Sequence, residues 1–114
     1  MMKASKENYE IACVKTLKGH RYSVSSLVWI KEKTVLCSGS EESTIKLWKA
    51  SQEGGEFSCI QTLEGHTDCV FSLTCILEKN ILCSGSRDCT IRLWKAPQEG
   101  GEFSCIQTLK GHTG

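Results

Sequence analysis

Short runs of alternating apolar and polar residues, broken by small and polar ones, fill most of the chain. Alternation of period two is the pattern of a half-buried strand. Thr44-Ile45-Lys46-Leu47-Trp48 shows it plainly, with Ile45 and Leu47 on one side. Val24 to Ile30 is a more uniformly apolar run and is read as an inner strand. Thr34 to Ser40 follows and ends in Ser38-Gly39-Ser40. Ala50 to Gly55 is a polar, glycine-rich loop, and Glu56 to Leu63 is a fourth strand. The same set recurs at Cys69 to Ile76, Ile81 to Ser86, Thr90 to Trp94 and Phe103 to Leu109. Tyr9 to Leu17 reads as a lone leading strand. Nine strands are expected, with no helix signal, behind a polar and frayed N-terminus at residues 1–8.

The runs repeat in register. Gly19-His20, Gly65-His66 and Gly111-His112 stand 46 residues apart (65 − 19 and 111 − 65). Cys83-Ser84-Gly85-Ser86-Arg87-Asp88 and Leu93-Trp94-Lys95 have their counterparts at fixed offsets. Gln98-Glu99-Gly100-Gly101-Glu102 copies Gln52-Glu53-Gly54-Gly55-Glu56. Near-identity in a surface loop points to an internal duplication, because loops tolerate change.

A period in the forties, opened by Gly-His and closed by Trp, marks a β-propeller blade. The chain resembles the WD40 repeat from about Tyr9 to its end. The Trp-Asp dipeptide of that family is absent; Leu47-Trp48-Lys49 and Leu93-Trp94-Lys95 stand in its place. The resemblance implies an all-β fold of four-stranded antiparallel blades, an incomplete propeller of about two blades. Its parts would be an outer strand at 9–17, repeat one at 19–63, repeat two at 65–109 and the start of a third at 111–114.

A closed propeller needs roughly four to eight blades, so two leave faces and edges open. Three outcomes follow: a fragment of a longer propeller, which is the expectation, a poorly folding truncated product, or head-to-tail assembly. In the last, three or four chains would make a six- or eight-bladed ring, closing only if the rotation fits.

The 114 residues carry a net charge of +1, with both signs interspersed. That argues against bulk electrostatic binding to nucleic acid or to an anionic membrane. The N-terminus lacks the apolar core of a signal peptide, and no stretch is apolar and long enough to span a bilayer.

Eight cysteines raise a disulfide scaffold or a zinc or redox protein as alternatives. Against these stand the missing signal, the absence of Cys-x-x-Cys, and histidines spread one per repeat. Cys37 with Cys83, and Cys13 with Cys59 and Cys105, fall at equivalent strand positions and are expected to act as small hydrophobes. The expectation is reduced thiols in a cytoplasmic or nuclear protein, with no metal and no cofactor.

His66, Ser84, Asp88 and Trp94 invite a nucleophilic-triad reading. The resemblance implies a structural one instead. The Trp N–H reaches the Ser hydroxyl, Ser reaches His, and His reaches the Asp of the tight turn, which satisfies every buried polar group. The first repeat matches at His20, Ser38 and Trp48 but has Glu42 where Asp is expected. A longer side chain fits a tight turn less well. No residue is expected to be catalytic.

By the same resemblance, partners bind one face of the blades. The matching positions are Cys69, Phe71 and Arg87 in the second repeat and Ser23, Ser25 and Glu41 in the first, with Tyr22 and Asp68 beside them. Phe71 and Arg87 are types enriched at interface hot spots. Glu41 against Arg87 suits a mixed-charge protein or peptide. The expected function is a non-enzymatic interaction scaffold. The rivals are a targeting fragment of a larger enzyme, such as a kinase or ubiquitin ligase, and a non-functional repeat remnant.

Overall fold

The structure, a computed structural model, describes residues 12–13, 15–51, 55–98 and 100–111. Two four-stranded antiparallel sheets make up the fold. The first holds β1 (Val24–Ile30), β2 (Val35–Ser40), β3 (Ile45–Ala50) and β4 (Phe57–Leu63). The second holds β5 (Val70–Ile76), β6 (Ile81–Ser86), β7 (Thr90–Lys95) and β8 (Ser104–Lys110). Every ladder joins sequence neighbours, so each sheet is a meander of the kind found in propeller blades. Period-two patterning places each of these strands within a residue or two of its expected span.

Eight strands rather than nine stand among the described residues. Residues 12, 13 and 15–17 of the expected leading strand pair with no neighbour. Lys15 is instead held by an ion pair to Glu56. The N-terminal tail at 1–8 and His112 to Gly114 lie outside the described residues. Among the described residues one 3-10 turn, Leu77–Lys79, breaks the expected absence of helix. It closes the β5–β6 connection, with Asn80 in the left-handed region (φ 54) and its N–H bonded to the Leu77 carbonyl at 3.3 Å.

The two sheets bury their core against each other. Ile30, Cys37, Ile45, Leu47 and Leu63 of the first meet Val70, Leu82, Trp94, Ala96 and Phe103 of the second. Gln61 on β4 spans the joint. Its Nε2 donates to the Phe103 carbonyl and its Oε1 accepts the Phe103 N–H, both at 2.9 Å. A Cβ on Gly39 would lie 2.8 Å from Val70 Cγ1, so glycine there seats the valine.

Two kinds of bulge recur at equivalent places. One lies between Val24 and Ser26, and between Val70 and Ser72. The other faces Leu47/Trp48 and Leu93/Trp94. A bulge breaks the alternation and re-aims a side chain. Ser25 and Phe71 are the extra residues of the first kind.

Candidate functional site

In the second sheet a continuous chain of hydrogen bonds runs from the core to the β6–β7 turn. Trp94 Nε1 donates to Ser84 Oγ at 2.9 Å. Ser84 Oγ lies 2.7 Å from His66 Nε2, and His66 Nδ1 lies 2.8 Å from Asp88 Oδ2. Asp88 also accepts from the Thr67 and Thr90 amides, both at 3.0 Å, and from the Thr90 hydroxyl. Burial disfavours the charged form of Asp88. Hydrogen bonds from Thr90, His66 and the Thr67 amide outweigh it and hold the carboxyl well below its usual range. Ser84 is fully buried with its oxygen already taken by the indole. A triad serine must meet a substrate, and this one is walled in.

The first sheet builds the same chain with a different end. Trp48 Nε1 donates to Ser38 Oγ at 2.9 Å, and Ser38 Oγ lies 2.7 Å from His20 Nε2. Glu42 then turns elsewhere. Its Oε1 takes the amides of Arg21 (2.5 Å) and Tyr22 (3.3 Å), and its Oε2 takes the Thr44 hydroxyl at 2.7 Å. His20 Nδ1 is 3.2 Å from Oε2 but makes no hydrogen bond. Burial opposes ionisation of Glu42, yet the bonds from Thr44, Arg21 and Tyr22, with the His20 ring close by, bring its pKa down to about 2.

The binding candidates gather at one end of the sheets, where β1 and β5 begin and β2 and β6 finish. The Glu41 amide donates to the Ser23 carbonyl at 3.1 Å, and the Arg87 amide to the Cys69 carbonyl at 2.9 Å. Ser25 Oγ donates to the Gly39 carbonyl at 3.2 Å and across the joint to the Val70 carbonyl. The Cys69 thiol is pushed up by partial desolvation, by a hydrogen bond to Asp68 and by the charges of Asp68 and Glu41, against the pull of Arg87. Tyr22, Ser23, Glu41, Asp68 and Arg87 are exposed, and Phe71 is 53% exposed. Phe71, Arg87, Cys89 and Ile91 line a cleft of about 610 Å³.

Several working residues escaped the sequence reading. Thr44 and Thr90 brace the turn acids, and Ser40 and Ser86 accept the amides of Glu42 (3.2 Å) and Asp88 (3.0 Å). Gln61 was passed over too. Each recurs once per repeat, which was the available signal.

The cysteine expectation needs correction. Cys13, Cys59 and Cys105 are exposed rather than packed, while Cys37 is buried. Cys59 and Cys105 lie on β4 and β8, the outermost strand of each sheet, so water reaches them. All eight cysteines are free thiols.

A family model described as "WD domain, G-beta repeat" matches residues 11–49 and 57–95. Among curated proteins no match was found. Both matched segments contain the Ser-bearing and Trp-bearing strands that carry the buried hydrogen-bond chains. The chain belongs to the WD40 repeat family.

Proposed function

We propose that the chain is a protein-interaction module that binds a protein or peptide partner at the rim shared by its two blades. The observation that supports this reading is the cleft that Phe71 and Arg87 line at the start of β5, with the Arg87 amide bonded to the Cys69 carbonyl and the Glu41 amide to the Ser23 carbonyl at the matching place in the first sheet. The bulge in β5 turns Phe71 out of the strand's alternation and leaves it on the cleft that Arg87 also lines. Exposed aromatics and arginine anchor interfaces. The opposed charges of Glu41 and Arg87 would orient a partner of mixed charge. The chemistry at the rim is recognition, and the module adds no bond-making step of its own.

Selection from a displayed random-peptide library tests the reading. Enriched peptides should bind the wild-type chain and lose at least about tenfold in affinity to Phe71→Ala or Arg87→Glu. Circular dichroism would hold the fold constant. No enrichment, or binding indifferent to both substitutions, would overturn it.

A further inference from the structure

Blade 1 and blade 2 share one sequence pattern but differ in burial, and the differences sort into two faces. Cys37, Ile45, Leu47 and Leu63 are buried, whereas their counterparts 46 residues on, Cys83, Ile91, Leu93 and Leu109, are not. These four mark the face of blade 2 turned away from blade 1. Conversely Val70, Leu82, Ala96 and Phe103 are buried, whereas Val24, Leu36, Ala50 and Phe57 are not. Those mark the face of blade 1 turned away from blade 2. Val70 is 0% exposed and Val24 51%; Leu63 is 3% and Leu109 40%.

The two open faces are therefore the two halves of the joint that already exists inside the chain. Its parts are present on both. Gly85 repeats Gly39, the seat of Val70, and a Cβ there would meet only Ser72 Oγ, at 3.0 Å. Val24 repeats Val70, the seated side chain. Gln107 repeats Gln61 and Phe57 repeats Phe103, the pair that exchanges two hydrogen bonds across the joint. Three of its positions differ: Phe71 replaces Ser25, the hydroxyl that reaches the incoming Val70 carbonyl, Thr74 replaces Val28, and Trp29 replaces Cys75.

We propose that the occupant of the Gly85–Ile91 cleft is Val24 of a second copy of this chain, so that copies join head to tail through a replica of the internal blade–blade joint. Gln107 then clasps the Phe57 backbone of that copy, and Phe71 covers the seated valine where Ser25 bonds a carbonyl within the chain. A heterologous joint of this kind repeats from copy to copy until a ring closes. It uses the cleft that Phe71 and Arg87 line, so a second copy and a rim partner would compete for it, while Glu41 and Asp68 stay free on the rim.

Two substitutions block opposite halves of the joint. Val24→Glu spoils the inserted side chain, and Gly85→Leu fills its seat. Light scattering on a sizing column, across a range of concentrations, reads the result on the full 114-residue chain. Wild type should give a discrete, concentration-dependent oligomer. Each variant alone should be monomeric with β-rich circular dichroism. Mixed, they should form a one-to-one dimer, since each keeps the half the other lacks.

Val24 is half exposed, so Val24→Glu disturbs little of the core. If Gly85→Leu unfolds, Leu109→Glu on the same open face replaces it. A wild type that stays monomeric would overturn the proposal and leave these faces to blades of another polypeptide. So would an oligomer that survives both substitutions, a smear of aggregates, or a mixture that fails to pair.

Discussion

His66 Nδ1 lies 2.8 Å from Asp88 Oδ2, close enough for a charge-assisted hydrogen bond that fixes the ring. The same relationship in the first blade is broken by one methylene. Glu42 reaches past His20 to two backbone amides, and His20 Nδ1 stays buried without a bonded partner. A buried polar atom left unsatisfied costs about 1–3 kcal/mol.

Glu42→Asp should restore the missing bond. It keeps a carboxylate for the Arg21 amide, as Asp88 serves Thr67, and gives up the long contact to Tyr22. The net gain expected is about 0.5–1 kcal/mol, read by calorimetry as a melting temperature higher by roughly 2–6 °C. The reverse change, Asp88→Glu, should lower it. An unchanged or lower melting temperature for Glu42→Asp would show that the two amide bonds already satisfy the turn.

Acid should unfold the chain through the same two carboxyls. Both have folded-state pKa values below their ordinary ones of 4.5 for Glu42 and 3.8 for Asp88. The unfolded chain thus takes up protons first on acidification, and stability falls with pH. Their contribution is whole above about pH 4.5 and drains below it. Glu42's share is spent near its folded value of about 2, and Asp88's lower still. Urea midpoints measured from pH 6 to pH 2 should fall steeply. Asp88→Asn should be less stable at pH 6 and show a flatter acid limb. A limb parallel to wild type would mean that Asp88 is not held ionised by the fold.

Strand positions were legible because alternation, Gly-His spacing and the Trp ends all agree on one repeat. The second blade's hydrogen-bond chain was legible through the resemblance to the WD40 repeat; His66, Ser84 and Trp94 also recur in the first repeat, where Glu42 stands in place of Asp88. What the pattern could not convey was burial that depends on a neighbour. Val24 and Val70 are the same residue at the same place in the repeat, yet one is half exposed and the other sealed. Only the packing of one sheet on the next separates them. The bulge at Phe71 was hidden too, since it arises from strand register rather than from composition. Of the expected leading strand, the described residues 12, 13 and 15–17 join no sheet, and a strand signature needs a partner strand beside it.

Two turn residues sit where L-amino acids are strained. Ser43 (φ 78) and Cys89 (φ 71) occupy the left-handed region at matched positions in the β2–β3 and β6–β7 turns. An L-residue there costs roughly 1–2 kcal/mol, and glycine returns part of the gain through its freer unfolded chain. Ser43→Gly and Cys89→Gly should each stabilise the chain by about 0.5 kcal/mol. The effects should add, because the turns share no partner. Chemical denaturation would detect the sum in the double variant. A loss of stability in both single variants would place a needed contact on the removed side chains.

The joint between the blades has its own reporter in Cys37. Burial, with Cys75 adding to it, pushes this thiol up to about 12, whereas Cys59 and Cys105 are exposed. Thiolate is the reactive form, so raised pKa and lost access act in the same direction. Alkylation at pH 8, followed peptide by peptide, should label Cys59 and Cys105 at least roughly 100-fold faster than Cys37. In urea all eight cysteines should label at similar rates. Gly39→Leu, which fills the seat of Val70, should expose Cys37 to labelling while the outer-strand thiols react as before. If Cys37 labels as fast as Cys59 in the native chain, the two blades do not pack on one another, and the seat of Val70 at Gly39 is no template for one at Gly85.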